Sequence, residues 1–114
     1  MAIFSAAITP APGPYTTIYT STGNNAVVCL WICNTQAFNP ATPTANIAYL
    51  DVHFVKSGSG PSTTNQVVNL LPVPAGESVT FDSEKMILEN GDSVQLYTAA
   101  GSGNVSATIS VIPV

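Results

Sequence analysis

Asp51 and His53 stand two residues apart in Tyr49-Leu50-Asp51-Val52-His53-Phe54, and His53 is the only histidine of the chain. A carboxylate beside an imidazole can orient the ring for general-base work. A nucleophile would have to stand next to the pair. No G-x-S-x-G occurs, and Ser57-Gly58-Ser59-Gly60 lacks both the leading glycine and a strand–turn–helix setting. Asp51 and His53 are therefore expected as solvated side chains on the polar face of a strand.

The other acids gather in the second half, at Glu77, Asp82, Glu84, Glu89 and Asp92. The run Phe81-Asp82-Ser83-Glu84-Lys85 and the turn Glu89-Asn90-Gly91-Asp92 hold oxygen ligands of the kind Ca²⁺ takes, without the EF-hand spacing. Two carboxylates astride a sugar would suit glycoside hydrolysis, but no aromatic cleft is evident beside them. Turn chemistry accounts for the same residues, because Asp and Asn hydrogen-bond turn backbone and Gly supplies positive φ. No catalytic residue, metal site or cofactor is expected.

Cys29 and Cys33 lie in Ala26-Val27-Val28-Cys29-Leu30-Trp31-Ile32-Cys33, a β-branched and aromatic run that reads as a strand. Positions four apart on a straight strand share a face at about 13 Å. A disulfide spans about 7 Å between Cα atoms. Zinc would want four ligands, and no other cysteine exists. Both thiols are expected reduced, as small apolar groups beside Trp31, which fits synthesis in a cytoplasm. Tyr15, Tyr19, Tyr49 and Tyr97 offer rings that can stack on sugars. Asn104-Val105-Ser106 has the form of a glycosylation acceptor. Nothing else points to secretion, since the first residues lack a positive n-region and run into Thr9-Pro10-Ala11-Pro12-Gly13-Pro14.

Charge narrows the partners. Only 7% of the 114 residues are charged, the net charge is −4, and there is no arginine. Two lysines cannot make the cationic footprint that nucleic acid demands or dock on an anionic membrane. A chain that is 46% hydrophobic is not disordered in composition, and no stretch reaches the roughly 18 apolar residues of a membrane helix.

The elements that must carry these residues are strands. Val, Ile and Thr supply 33 residues, Gly and Pro another 17, and no window sustains a helical period. In 48–55, Ala48, Leu50, Val52 and Phe54 alternate with Tyr49, Asp51 and His53; in 105–111, Val105, Ala107, Ile109 and Val111 alternate with Ser106, Thr108 and Ser110. Such alternation belongs to sheets with one dry and one wet face. The 26–33 run is apolar on both faces, so it is expected as a central strand or as one covered by another chain. Further strands are expected near 15–20, 66–71, 77–81, 85–88 and 92–98, about eight in all, separated by Gly, Pro and Asn breakers. This spacing implies an all-β, single-domain antiparallel sandwich, jelly-roll-like, or a small barrel. Residues 1–14 are expected as an extended arm without regular structure, lying along a neighbour, and 15–114 as the sandwich. The loops 36–45 and 56–64 are the expected contact or mobile elements.

Two stretches carry a resemblance. Leu71-Pro72-Val73-Pro74-Ala75-Gly76-Glu77-Ser78-Val79-Thr80-Phe81 is followed by Lys85-Met86-Ile87-Leu88-Glu89-Asn90-Gly91-Asp92-Ser93-Val94. A Pro-Ala-Gly turn, a strand ending in an aromatic, a Lys-x-x-Leu strand and a Gly-Asp opening resemble the small β-rich virion proteins of tailed bacteriophages. The opening half is similar too, with its Tyr-Thr strand and a long apolar strand ending Cys33-Asn34-Thr35. The resemblance runs from about Tyr15 onward. It implies a head decoration (cement) protein, or a tail or neck component, in the virion.

Such a role implies a homotrimer bound to the major capsid protein or another virion structural protein, with no enzymatic activity and no nucleic-acid or membrane partner. A low-charge surface suits dense packing, and a Pro-rich arm is pre-stiffened for lying on a neighbour. The alternatives are a carbohydrate- or receptor-binding module using the tyrosines, and a small hydrolase using Asp51, His53 or the acidic turns.

Overall fold

The computed structural model describes residues 2–8, 15–82, 86–98 and 105–114. Nine strands follow in order: β1 Ala2–Ile8, β2 Thr16–Thr20, β3 Asn25–Asn34, β4 Ala48–Val55, β5 Gln66–Val73, β6 Ser78–Phe81, β7 Met86–Leu88, β8 Ser93–Thr98 and β9 Val105–Pro113. They form two antiparallel sheets. One has the order β1-β9-β3-β6, with β7 also on β3; the other has the order β2-β8-β4-β5.

β6 and β7 are two pieces of one edge. β6 pairs with Leu30–Cys33 of β3, and β7 pairs with Asn25–Val27 of the same strand. Counted as one, they leave eight strands, of which every sequential pair except β4–β5 crosses between sheets. That is jelly-roll connectivity. β3 is central, between β9 and the β6/β7 edge, the first of the two placements its double-sided apolar sequence allowed. β5 extends to Val73 and so includes Pro72. Proline has no N–H to give a further strand, and β5 ends its sheet, where this loss is tolerated.

The core lies between the two inner faces. Val27, Leu30 and Ile32 of β3 and Val105, Ala107, Ile109 and Val111 of β9 meet Ala48, Leu50 and Val52 of β4 and Val94 and Leu96 of β8. Ile32, Leu50, Leu96 and Ile109 are fully buried, each stabilising the fold by about 1.5–3 kcal/mol. A register shift between Thr17 and Tyr19 makes a bulge in β2, and both Ile18 and Tyr19 are buried in this core.

The amino-terminal arm is extended but not irregular. Ala2–Ile8 forms β1, paired residue for residue with β9 from Ala2↔Val111 to Ile8↔Val105. The reason is the free edge of β9: an uncharged, proline-free heptapeptide satisfies backbone groups that would otherwise need water. Residues 9–14 lie outside the described residues.

Candidate functional site

The alternation expected for β4 holds in its facing, with Ala48, Leu50, Val52 and Phe54 toward the core, but His53 on the other face is not solvated. The register of β4 with β5 shifts between Leu50 and Val52 and again between Val52 and His53. Asp51 and His53 point away from the core but serve different partners. Asp51 Oδ1 accepts the Leu70 N–H at 2.7 Å and so pins the β5 bulge, where Leu70 has φ +50°. His53 is only 2% exposed. Its Nδ1 lies 2.8 Å from Asn65 Oδ1. That oxygen also accepts the Ser62 N–H, and Asn65 Nδ2 donates to Gly60 O. The asparagine is thereby oriented, and Nδ1 of His53 is the donor. Nε2 is buried with no hydrogen-bond partner among the described residues.

The cover over His53 is Tyr15. Its ring stands edge-on to the imidazole with centroids 5.0 Å apart, and it lies 5.0 Å from Tyr97 at a tilt of 36°. The expectation of a solvated Asp–His pair is thus corrected: His53 is a buried residue roofed by an aromatic distant in sequence. Of the four tyrosines, Tyr15 and Tyr97 come together, Tyr49 is exposed on the same strand as Asp51, and Tyr19 is in the core.

The acidic turn between β7 and β8 is held by Asp92. Its Oδ1 accepts the Ser57 N–H at 2.9 Å and its Oδ2 the Glu89 N–H at 3.0 Å. These two backbone donors hold the carboxyl below the usual carboxylate range, against its burial, with a smaller contribution from the Lys56 ammonium. Lys56 Nζ stands 3.6 Å from Asp92 and 3.7 Å from Glu89. Glu77 and Asp82 are exposed elsewhere, and Glu84 lies outside the described residues. Among the described residues, no three His, Cys, Asp or Glu side chains converge on a common point. Asn104 also lies outside the described residues.

Sequence reasoning missed Asn34, which is fully buried at the end of β3. Its Nδ2 donates to Asn46 O and Val73 O, and its Oδ1 accepts the Gln36 N–H. One side chain thereby ties the ends of β3, β5 and the loop leading to β4. A polar residue ending a long apolar run was the only signal.

The most distinctive surface is the outer face of the five-stranded sheet. Cys29, Trp31 and Cys33 share it on β3, with β3 bulged between Val27 and Cys29. Both cysteines are free thiols and half-buried. Across the ladder, Trp31 sits between Thr108 of β9 and Thr80 of β6, and Cys33 between Ser106 and Ser78. Ala26 stands between Ile112 and Ile87 further along. None of these side chains is charged. Trp31, the only tryptophan, is 54% exposed at the centre of this face.

No known family model matches the chain, and no curated protein matches it significantly.

Proposed function

We propose that the protein is a non-enzymatic structural component of a tailed-phage virion, a head decoration protein that assembles as a homotrimer and bridges capsid subunits. The observation that carries this reading is the uncharged outer face of the five-stranded sheet with Trp31 exposed at its centre. Charge depletion and a central aromatic are what set the core of a protein interface apart from ordinary surface. A soluble sheet face with no docking role ordinarily carries Lys and Glu, and this one carries Ser, Thr, Cys and Ile. The jelly roll is also an architecture of viral capsid domains, which supports the reading by analogy only. Asp51 and His53 are engaged separately, with Leu70 and Asn65, and this favours a structural role over hydrolysis.

The test is light scattering coupled to size-exclusion chromatography, together with co-sedimentation on empty phage capsid shells. The wild type should run as a trimer and sediment with shells. Trp31→Glu should be monomeric and stay in the supernatant while keeping its thermal midpoint. A wild-type monomer with no affinity for shells would sink the proposal.

A tail or neck location is the same reading at another place in the particle. A carbohydrate-binding module is the second reading, favoured by the Tyr15–Tyr97 pair on the outer face of the other sheet. Binding on a glycan array that is lost in Tyr97→Ala would favour it.

A further inference from the structure

The flank between β5 and the broken β6/β7 edge holds a cavity of about 340 Å³. Its walls are Val27, Leu30, Val52, Phe54, Val68 and Phe81, drawn from four strands of both sheets, with Val67 and Met86 completing the lining. Every one of these side chains is apolar. Protein interiors pack densely and hold few voids larger than a water molecule. Four of the eight positions are valine, so the lining is built of short side chains. The cavity lies beside two irregularities: the β3 bulge between Val27 and Cys29, and the shifted register of β5 on β4.

The cavity continues into a polar cleft. A second concavity of about 360 Å³ shares Phe54, Val67 and Met86 with it, and runs on to Lys56, Thr64, Asn65, Gln66 and Asp92. The two together have the form of a small-molecule site: a mostly apolar hollow with a few polar groups at one end. An engineered apolar cavity of about 150 Å³ holds a benzene ring, so roughly twice that volume takes an alkyl chain of about ten carbons. Lys56 lies 3.6 Å from Asp92 Oδ2 and 3.7 Å from the exposed Glu89 Oε1, so its ammonium is already paired. The polar end favours a head group that donates and accepts hydrogen bonds without net charge.

We propose that this flank is a binding site for a single-chain, uncharged amphiphile, with the alkyl tail between the sheets and the hydroxyl head in the Lys56–Asn65–Asp92 cleft. The site lies on the opposite flank of the sandwich from the β1–β2 edges and does not depend on the assembly face around Trp31.

The full chain is titrated with decan-1-ol, decanoate and decyltrimethylammonium, each below its micellar concentration, and followed by calorimetry and ¹³C-methyl spectra. Decan-1-ol should bind in the micromolar range, at least fivefold tighter than either ion. The shifted methyls should be those of Val27, Leu30, Val68 and Met86. Val67 is 51% exposed at the mouth, so Val67→Trp should block entry, weakening binding at least tenfold with the thermal midpoint unchanged. Lys56→Ala should leave Asp92 and Glu89 without their counter-ion and shift preference toward decyltrimethylammonium. No binding by any probe, shifts centred elsewhere, or full affinity in Val67→Trp would overturn the inference. So would loss of capsid-shell binding in Val67→Trp without amphiphile binding by the wild type, which would assign the cavity to a partner's side chain.

Discussion

Tyr15 stands edge-on over His53, ring planes at 90° and centroids 5.0 Å apart, and closes a polar group inside the outer layer of the β2-β8-β4-β5 sheet. Edge-to-face pairs contribute about 0.5–1.5 kcal/mol beyond their buried area. Tyr15 makes two ring contacts, to His53 and Tyr97. Tyr15→Ala should lower unfolding free energy by about 2 kcal/mol in urea titrations, and Tyr15→Phe by under half of that. A change within 0.3 kcal/mol for Tyr15→Ala would show that the ring covers nothing of consequence.

The hydrogen-bond order around Asn65 sets the tautomer of His53. The ¹⁵N spectrum of the neutral ring should show the Nδ1–H tautomer. His53→Ala should cost about 3 kcal/mol, the range of large-to-small changes in a closed site. The opposite tautomer would mean that Asn65 is turned the other way.

Gly91 admits no side chain. Its φ is +88°, and a Cβ there would stand 2.5 Å from Ser57 Oγ and 2.9 Å from Ser57 Cβ. Left-handed backbone alone costs an ordinary residue about 1–2 kcal/mol, and the overlap adds to it. Gly91→Ala should destabilise by about 2–4 kcal/mol. Ser57→Gly in the same chain should recover the overlap but not the backbone share. Equal stability of the single and double variants would refute the contact.

Asp92 makes the fold acid-labile. Its carboxyl is held low in the folded chain, chiefly by the Ser57 and Glu89 amides. In the unfolded chain it titrates at about 3.9. A depressed folded value adds stability above that pH and loses it as pH falls through the folded value. Urea midpoints should therefore drop below about pH 4. Asp92→Asn should be weaker at pH 6, and its midpoint should fall less between pH 5 and pH 2. Parallel profiles for the two proteins would contradict the assignment.

Asn34→Ala would leave Asn46 O and Val73 O without their buried donor. An unsatisfied buried group costs about 1–3 kcal/mol, so a loss of about 3 kcal/mol is expected, measured by thermal and urea unfolding. A loss under 1 kcal/mol would mean that water replaces the amide.

Much of this architecture was readable because β9 and β3 alternate or run apolar according to what covers them. Val105, Ala107, Ile109 and Val111 face the core as their spacing demanded, and a central place for β3 was one of the two its double-sided apolar run allowed. The facing of β4 was legible through Phe54, but the burial of His53 was not, because it depends on what lies over that face. Nothing in Asp51-Val52-His53 reveals that β5 shifts register there, or that Tyr15 arrives from a distant segment. β1 was missed because its pairing is decided by the open edge of β9. The apolar flank cavity was invisible for the same kind of reason: its lining comes from residues far apart in the chain.

Ala2 faces Val111 across the β1–β9 ladder, and Val114 follows three residues on at that same end of the ladder. Tension applied between residues 2 and 114 would therefore open the ladder like a zipper, one hydrogen bond after another, instead of shearing all of them together. β1 would peel away at low force while the rest of the sandwich stayed closed, leaving the outer edge of β9 bare.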